Sequence, residues 1–163
     1  MINFDRLKLV LFDFDDTLCI HPYHHNYSKK EAEEYNKALM NGEYPKSWDS
    51  AKVSGAMLKF VKYCNQAGKE IGLISAVGNF KAASTKQSWA ETVYGVDFEN
   101  YCVGESRKKA EQCTYIAKAK NLCYDEILIV DDWWELLADA ADLGIQAATP
   151  IECTVWVEDN LQQ

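Results

Sequence analysis

The fold is decided near the N-terminus by the stretch Leu7-Lys8-Leu9-Val10-Leu11-Phe12-Asp13-Phe14-Asp15-Asp16-Thr17-Leu18. Its first half is a short apolar run that stops at Asp13. Such a run is typical of a buried strand in a parallel sheet, because helices cover both faces of these sheets. We therefore expect a strand over residues 7–12 and a loop that begins at Asp13.

Two later apolar runs have the same form. Residues 71–74 (Ile-Gly-Leu-Ile) end at Ser75, and residues 127–130 (Ile-Leu-Ile-Val) end at Asp131. Helical patterns lie around them, over about 56–64, 81–94, 106–122 and 135–143, and short strands are expected over about 101–103 and 145–148, followed by a turn at Thr149-Pro150. This alternation predicts an α/β fold of three layers with a mostly parallel sheet. Ligands of such folds bind beyond the carboxyl ends of the strands, where Asp13, Ser75 and Asp131 fall.

Residues 18–54 interrupt the alternation. They contain a loop over 21–27, a helical pattern over 29–40 that Ser28 opens, and a turn with Gly42 and Pro45. We expect a small insertion that covers the site, within a single domain over residues 1–163.

Composition narrows the class of protein. The chain has 163 residues, 48% of them hydrophobic, which suits one domain with a well-developed core and excludes a disordered acidic chain. Its 25 acidic and 17 basic side chains give a formal charge of −8. This charge disfavours nucleic acid as a partner without excluding it, because binding many phosphates requires clustered Lys and Arg.

No apolar run approaches the roughly 18 residues of a membrane span, and three aspartates interrupt the apolar stretch near the N-terminus. We expect a cytoplasmic protein without a membrane partner. The six cysteines form no CxxC pair, and we expect them to be reduced and mostly buried.

Two acidic clusters carry the chemical signal. Asp13 and Asp15 follow one predicted strand, and Asp131 and Asp132 follow another. An acidic turn that caps a helix is the alternative for either cluster alone. Two clusters that meet at one sheet edge form an all-oxygen site, which suits Mg²⁺.

The ordered set resembles the four motifs of the haloacid dehalogenase superfamily. The set consists of Asp13-x-Asp15-x-Thr17, Ser75, a lysine at the head of a later helix, and Asp131-Asp132, and it spans about residues 7–150. The resemblance implies a Rossmann-like fold and a minimally capped, Mg²⁺-dependent phosphatase. The dehalogenases of the superfamily lack the second aspartate of the first motif, so Asp15 favours phosphoryl chemistry.

The resemblance also implies a role for each motif residue. Asp13 is the expected nucleophile, which forms an aspartyl-phosphate, and Asp15 is the expected general acid and then base. Ser75 and the backbone N–H of Ala76 are expected to bind the phosphoryl oxygens. Lys108 and Lys109 are both candidates for the lysine that balances the charge.

The expected Mg²⁺ ligands are a carboxylate oxygen of Asp13, the backbone carbonyl of Asp15, and one of Asp131 and Asp132. We favour Asp132 as the direct ligand, with Asp131 behind it or paired with the lysine. The usual small polar residues after this pair are replaced by Trp133-Trp134, which are either core anchors or a wall on which the substrate stacks.

A histidine-rich loop follows the first motif. Its His21-x-x-His24-His25 spacing could suit Zn²⁺, but further supporting ligands are missing from the loop. Tyr23, His24 and His25, with Trp133, are instead candidates for substrate specificity.

The expected function is hydrolysis of a phosphomonoester. The alternatives are a phosphotransferase or mutase on the same scaffold, and a binding module that has lost turnover. Because the cover is small, the substrate is either a phosphorylated small molecule or a phosphorylated macromolecule. The oligomeric state stays open.

Overall fold

A computed structural model describes residues 2–20 and 28–161. Its five strands pair in parallel in the order β3-β2-β1-β4-β5. Their bounds are β1 Leu9–Phe12, β2 Glu70–Leu73, β3 Glu99–Asn100, β4 Ile127–Val130 and β5 Gln146–Ala148. The first strand therefore lies at the centre of the sheet.

Six α-helices surround the strands in the described residues: α1 Lys29–Asn41, α2 Gly55–Gln66, α3 Phe80–Tyr94, α4 Lys109–Lys120, α5 Trp134–Asp142 and α6 Pro150–Leu161. Short 3-10 turns occur at Phe4–Arg6, Lys46–Ser50, Ser106–Lys108 and Tyr124–Glu126. In the part of the chain that the structure describes, no helix has the length and apolar character needed to cross a membrane.

The sheet separates two hydrophobic cores. Val10 and Phe12 lie in the core shared with α2, α3 and α6, whereas Leu9 and Leu11 lie in the core shared with α4 and α5. Alternate side chains of a strand point to opposite faces, so one short apolar run supplies both cores. The three-layer α/β prediction is confirmed, and the sheet is wholly parallel.

Two expectations about the C-terminal half were wrong. The strand expected over 101–103 is instead Glu99–Asn100, and Val103 forms only an isolated bridge with Ala76. β3 has two residues and lies at the edge of the sheet, where it pairs on one side only. Its side chains are exposed or partly buried, so its sequence needs no apolar run. The side chain of Tyr101 packs over the β2 backbone instead, and a Cβ at Gly72 would lie 2.7 Å from its ring.

The other error is the turn expected at Thr149-Pro150, which is the start of α6. The Thr149 hydroxyl accepts from the N–H of Glu152 (3.2 Å), and the Glu152 carboxylate accepts from the N–H of Thr149 (2.7 Å). This reciprocal pair is a capping box, and proline is favoured in the first helical position that follows the cap.

The insertion (residues 18–54, described except for 21–27) packs against the rest of the domain, where its helix α1 contacts helix α3. Ser28 caps α1 with a capping box, as expected. Trp48 of the insertion lies between two aromatic rings, with centroids 5.0 Å from Phe14 and 5.9 Å from Trp89 of α3. The loop after β1, the insertion and α3 therefore share one aromatic cluster.

The cysteine prediction is confirmed. All six are free thiols; four are buried, Cys102 is partly buried, and Cys123 is exposed.

Candidate active site

The site forms where the three central strands end. Phe12 at the end of β1 lies in register with Leu73 of β2 on one side and Val130 of β4 on the other. The residues that follow these strands therefore meet at the middle of the sheet edge. Asp13, Ser75 and Asp131 are all buried there.

Lys109, the first residue of α4, joins the two acidic clusters. Its ammonium lies 2.7 Å from Oδ1 of Asp13 and 2.8 Å from Oδ2 of Asp131. Lys109 is 3% exposed, whereas Lys108 is an exposed residue of the preceding 3-10 turn. Of the two candidate lysines, the structure brings Lys109 into contact with the acids.

The electrostatics of this group follow from burial. Desolvation raises the pKa of Asp13 to about 6, although Lys109 opposes the shift, and desolvation likewise raises the pKa of Asp131. Burial alone would lower the pKa of Lys109, but the two carboxylates outweigh it and raise the pKa. The ammonium is therefore held in its charged form, and two carboxylates share it.

Asp132 adds a third carboxylate. One oxygen from each of Asp13, Asp131 and Asp132 lies within 4.8 Å of the others. Asp131 is engaged on both sides, since Oδ2 faces Lys109 and Oδ1 accepts from the N–H of Trp133 at 2.9 Å. Asp132 is exposed. A hard, all-oxygen donor set with excess negative charge fits Mg²⁺.

Asp15 lies on the other side of the site and is held by residues outside the four motifs. Its Oδ1 accepts from the hydroxyl of Tyr35 in α1 (2.8 Å), and its Oδ2 lies 2.5 Å from the ammonium of Lys86 in α3. Lys86 also donates to Oγ of Ser75 (2.9 Å) and to the carbonyl of Ala76 (3.3 Å). Neither Tyr35 nor Lys86 was expected from the sequence.

The local backbone explains how Asp13 and Asp15 share one site. Asp16 has a φ of 56°, in the left-handed region, and its N–H donates to the carbonyl of Cys19 at 2.9 Å. The N–H of Cys19 donates in turn to the carbonyl of Phe14 at 2.8 Å. The chain thus turns sharply after β1, and aspartate is one of the residues that tolerates this conformation.

The specificity candidates divide into two groups. Trp133 is partly buried against the core of α4 and α5, which agrees with an anchoring role, whereas Trp134 is 70% exposed. Tyr23, His24 and His25 lie outside the described residues, as does His21.

No family model matches the chain, and no curated protein matches it. Solved structures do match. A haloacid dehalogenase-like hydrolase from Xanthomonas campestris aligns with 86% of this chain and 81% of its own, at a TM-score of 0.58 and 12% identity. A putative haloacid dehalogenase-like hydrolase from Bacteroides fragilis aligns with 86% of both chains, at a TM-score of 0.53 and 16% identity.

The chain has the haloacid dehalogenase-like fold. A further match to this fold is the N-terminal part of a Bacteroides fragilis protein, which contains a phosphatase domain and was solved in complex with Mg. It aligns with 87% of this chain at a TM-score of 0.58 and 16% identity. The chain spans only 35% of that structure, and it spans 65% of a hypothetical protein from Xanthomonas campestris that it also matches. The fold expected from the four motifs is confirmed.

Proposed function

We propose that this protein is a Mg²⁺-dependent phosphohydrolase that cleaves a phosphomonoester through an aspartyl-phosphate. One observation carries the proposal: the buried Asp13 carboxylate lies against Lys109 at the centre of the sheet edge, with a second carboxylate, Asp15, fixed two residues further on. A nucleophile and a separate acid/base at this spacing fit a two-step displacement.

In the first step an oxygen of Asp13 attacks phosphorus. The new O–P bond forms as the bond to the ester oxygen breaks, and Asp15 supplies a proton to that oxygen. In the second step Asp15 takes a proton from water, which attacks the phosphorus and releases phosphate from Asp13. Ser75 and the N–H of Ala76 bind phosphoryl oxygens, and Lys109 offsets the negative charge.

Mg²⁺ would be held by Asp13, Asp132 and the backbone carbonyl of Asp15, with Asp131 between the metal ligands and Lys109. When bound, the ion supplies positive charge that offsets the carboxylates and the phosphoryl group. The carboxylate cluster supports this assignment, as does the Mg complex of the Bacteroides fragilis structure with the same fold.

The substrate is a phosphomonoester, either a small molecule or a macromolecular end. The described residues between Ser75 and Lys109 form only α3, β3 and short connections, so they contain no second cover. The small insertion is then the cover that remains, which supports an open site. Nucleic acid remains the less favoured substrate, since the chain carries a net charge of −8.

The test is hydrolysis of p-nitrophenyl phosphate with Mg²⁺ or with EDTA. We expect D13N to lower kcat by more than about 10³-fold, because the amide cannot act as the nucleophile. The matched control is D5N, since Asp5 is an exposed aspartate before β1, at the opposite end of that strand from Asp13. Mass spectrometry of quenched wild-type enzyme should show one phosphoryl group on Asp13.

Full activity of D13N would refute the proposal. Release of p-nitrophenol that increases severalfold when an alcohol acceptor is added, with the phosphoryl group found on the acceptor rather than as free phosphate, would instead indicate a phosphotransferase. If Mg²⁺ with beryllium fluoride fails to raise the Tm, a binding module without turnover becomes the better description.

A further inference from the structure

Lys86 is a buried cation in the middle of α3, outside the four motifs. It is 2% exposed, and its ammonium has three oxygen neighbours, which belong to Asp15, Ser75 and Ala76. An ammonium has three N–H donors, so these neighbours satisfy it completely. The lysine is therefore held in one place rather than mobile.

The contact with Ser75 orients a proposed phosphate-binding group. Because the Ser75 oxygen accepts from Lys86, the hydroxyl hydrogen is directed away from the ammonium. That hydrogen can then be donated to a phosphoryl oxygen. One lysine thus acts on both a binding group, Ser75, and a proton-transfer group, Asp15.

Tyr35 completes the arrangement from the insertion. Its hydroxyl donates to Oδ1 of Asp15, whereas the ammonium of Lys86 donates to Oδ2. Each carboxylate oxygen therefore has its own donor, from a different helix. Two donors on the two oxygens fix the rotation of a carboxylate as well as its position.

A purely structural role explains Lys86 poorly. Burying a charge is costly, and replacing a whole buried ion pair by well-packed apolar side chains of similar volume is often neutral or stabilising, so stability alone does not explain why Lys86 and Asp15 are paired here. The ammonium lies 5.2 Å from the centre of the Phe14 ring, so an apolar side chain would have an apolar neighbour there. The charge is needed for the oxygens of Asp15 and Ser75.

We propose that Lys86 and Tyr35 are positioning residues, which hold the Asp15 carboxylate for proton transfer and, through Lys86, the Ser75 hydroxyl for phosphate binding. The inference rests on the proposed function, because Asp15 and Ser75 have their roles only there. It extends the site beyond its motifs to α3 and to the insertion.

The test uses full-length K86M, K86R and Y35F on a series of phenyl phosphates of decreasing leaving-group acidity. Matched controls are K81M, an exposed lysine on the same helix, and Y44F, an exposed tyrosine of the insertion. kcat, KM and Tm are measured for each variant.

We expect K86M to lower kcat by about 100-fold, because misplaced catalytic groups cost that order. Y35F should lower kcat by about 10-fold, the value of one hydrogen bond to a charged group, with KM within about twofold. Both losses should grow as the leaving group becomes less acidic, since poorer leaving groups depend more on Asp15. K86R should recover part of the loss, and the controls should match the wild type.

Values of kcat within twofold of the wild type for Y35F and K86M would overturn the inference, as would losses that do not vary with the leaving group. If K86M does not fold, the Y35F result alone tests the inference, by the size of its loss in kcat and by the dependence of that loss on the leaving group. A wild type that hydrolyses no member of the series would refute the proposed function itself, and the inference with it.

Discussion

Lysine–carboxylate pairs lie both where the parallel strands begin, which we call the amino edge, and where they end, which we call the carboxyl edge. The surroundings of the two groups are very different. At the amino edge Lys120 lies 2.6 Å from Glu70 and 2.8 Å from Glu99, whose side chains are 58% and 54% exposed. At the carboxyl edge Lys109 makes equally short contacts with Asp13 and Asp131, but all three side chains are at most 8% exposed. Geometry alone does not distinguish the two groups.

Burial is the difference, and it supports the proposed site at the carboxyl edge. Exposed ion pairs cost little to form and contribute little, because water screens them. Buried charges must be desolvated, and that cost is repaid only when each charge is closely paired. The burial of two acids and a lysine at one edge therefore supports the proposed active site there, because apolar packing would stabilise the fold equally well.

The largest effect should come from breaking the buried group. K109M leaves Asp13 and Asp131 without their cation, so we expect the free energy of unfolding in EDTA to fall by about 3–5 kcal/mol. Urea denaturation measures this change. A loss for K109M no larger than that for K120M would show that the two edges are energetically alike.

An intermediate effect should come from metal. Mg²⁺ at about 100 times its Kd should stabilise the wild type by about 2.7 kcal/mol, because only the folded chain assembles the carboxylates. D132N should remove most of this gain, whereas E99Q, at the opposite edge, should leave it unchanged. Thermal denaturation with Mg²⁺ and with EDTA gives the comparison. An equal Mg²⁺ shift in D132N would contradict the assignment of Asp132 as a ligand.

The smallest effect should come from the exposed pairs. K120M should cost no more than about 1 kcal/mol, since its partners are open to solvent. The cost should shrink further in 1 M NaCl, where charges are screened within about 3 Å. A salt-independent loss above that size, measured by urea denaturation, would show that this edge is also effectively desolvated.

Much of the central fold follows from hydrophobic runs that end at a polar residue. The run that ends at Asp131 predicts β4 with its observed bounds, and the run before Asp13 predicts β1 apart from two residues at its start. The glycine after Tyr94 marks the observed end of α3, with Gly95 in the left-handed region. Central parallel strands are buried on both faces, so their composition reveals them.

The two misses have different causes. β3 is a polar edge strand, so burial leaves no pattern in it. The start of α6 did have a signal, because Thr149-Pro150-Ile151-Glu152 contains a helix cap, the proline and the reciprocal glutamate. The turn expected at Thr149-Pro150 overlooks this signal.

Lys86 and Tyr35 could not be identified in the same way. Each lies within a helix with no motif around it, and their contact with Asp15 depends on how α1 and α3 pack. A lysine on a helix is ordinarily exposed. Lys86 is recognised only once its burial is known.

The aromatic cluster of Phe14, Trp48 and Trp89 bears on what the insertion does for the loop after β1. Phe14 lies between Asp13 and Asp15 in the chain, so the insertion supports the same loop that carries the proposed nucleophile. Exchanging the whole insertion for another would remove Trp48 and disturb Asp13 and Asp15 together. The insertion is therefore part of the support for the proposed catalytic loop, and substitutions on its outer surface that leave Trp48 in place should not disturb that support.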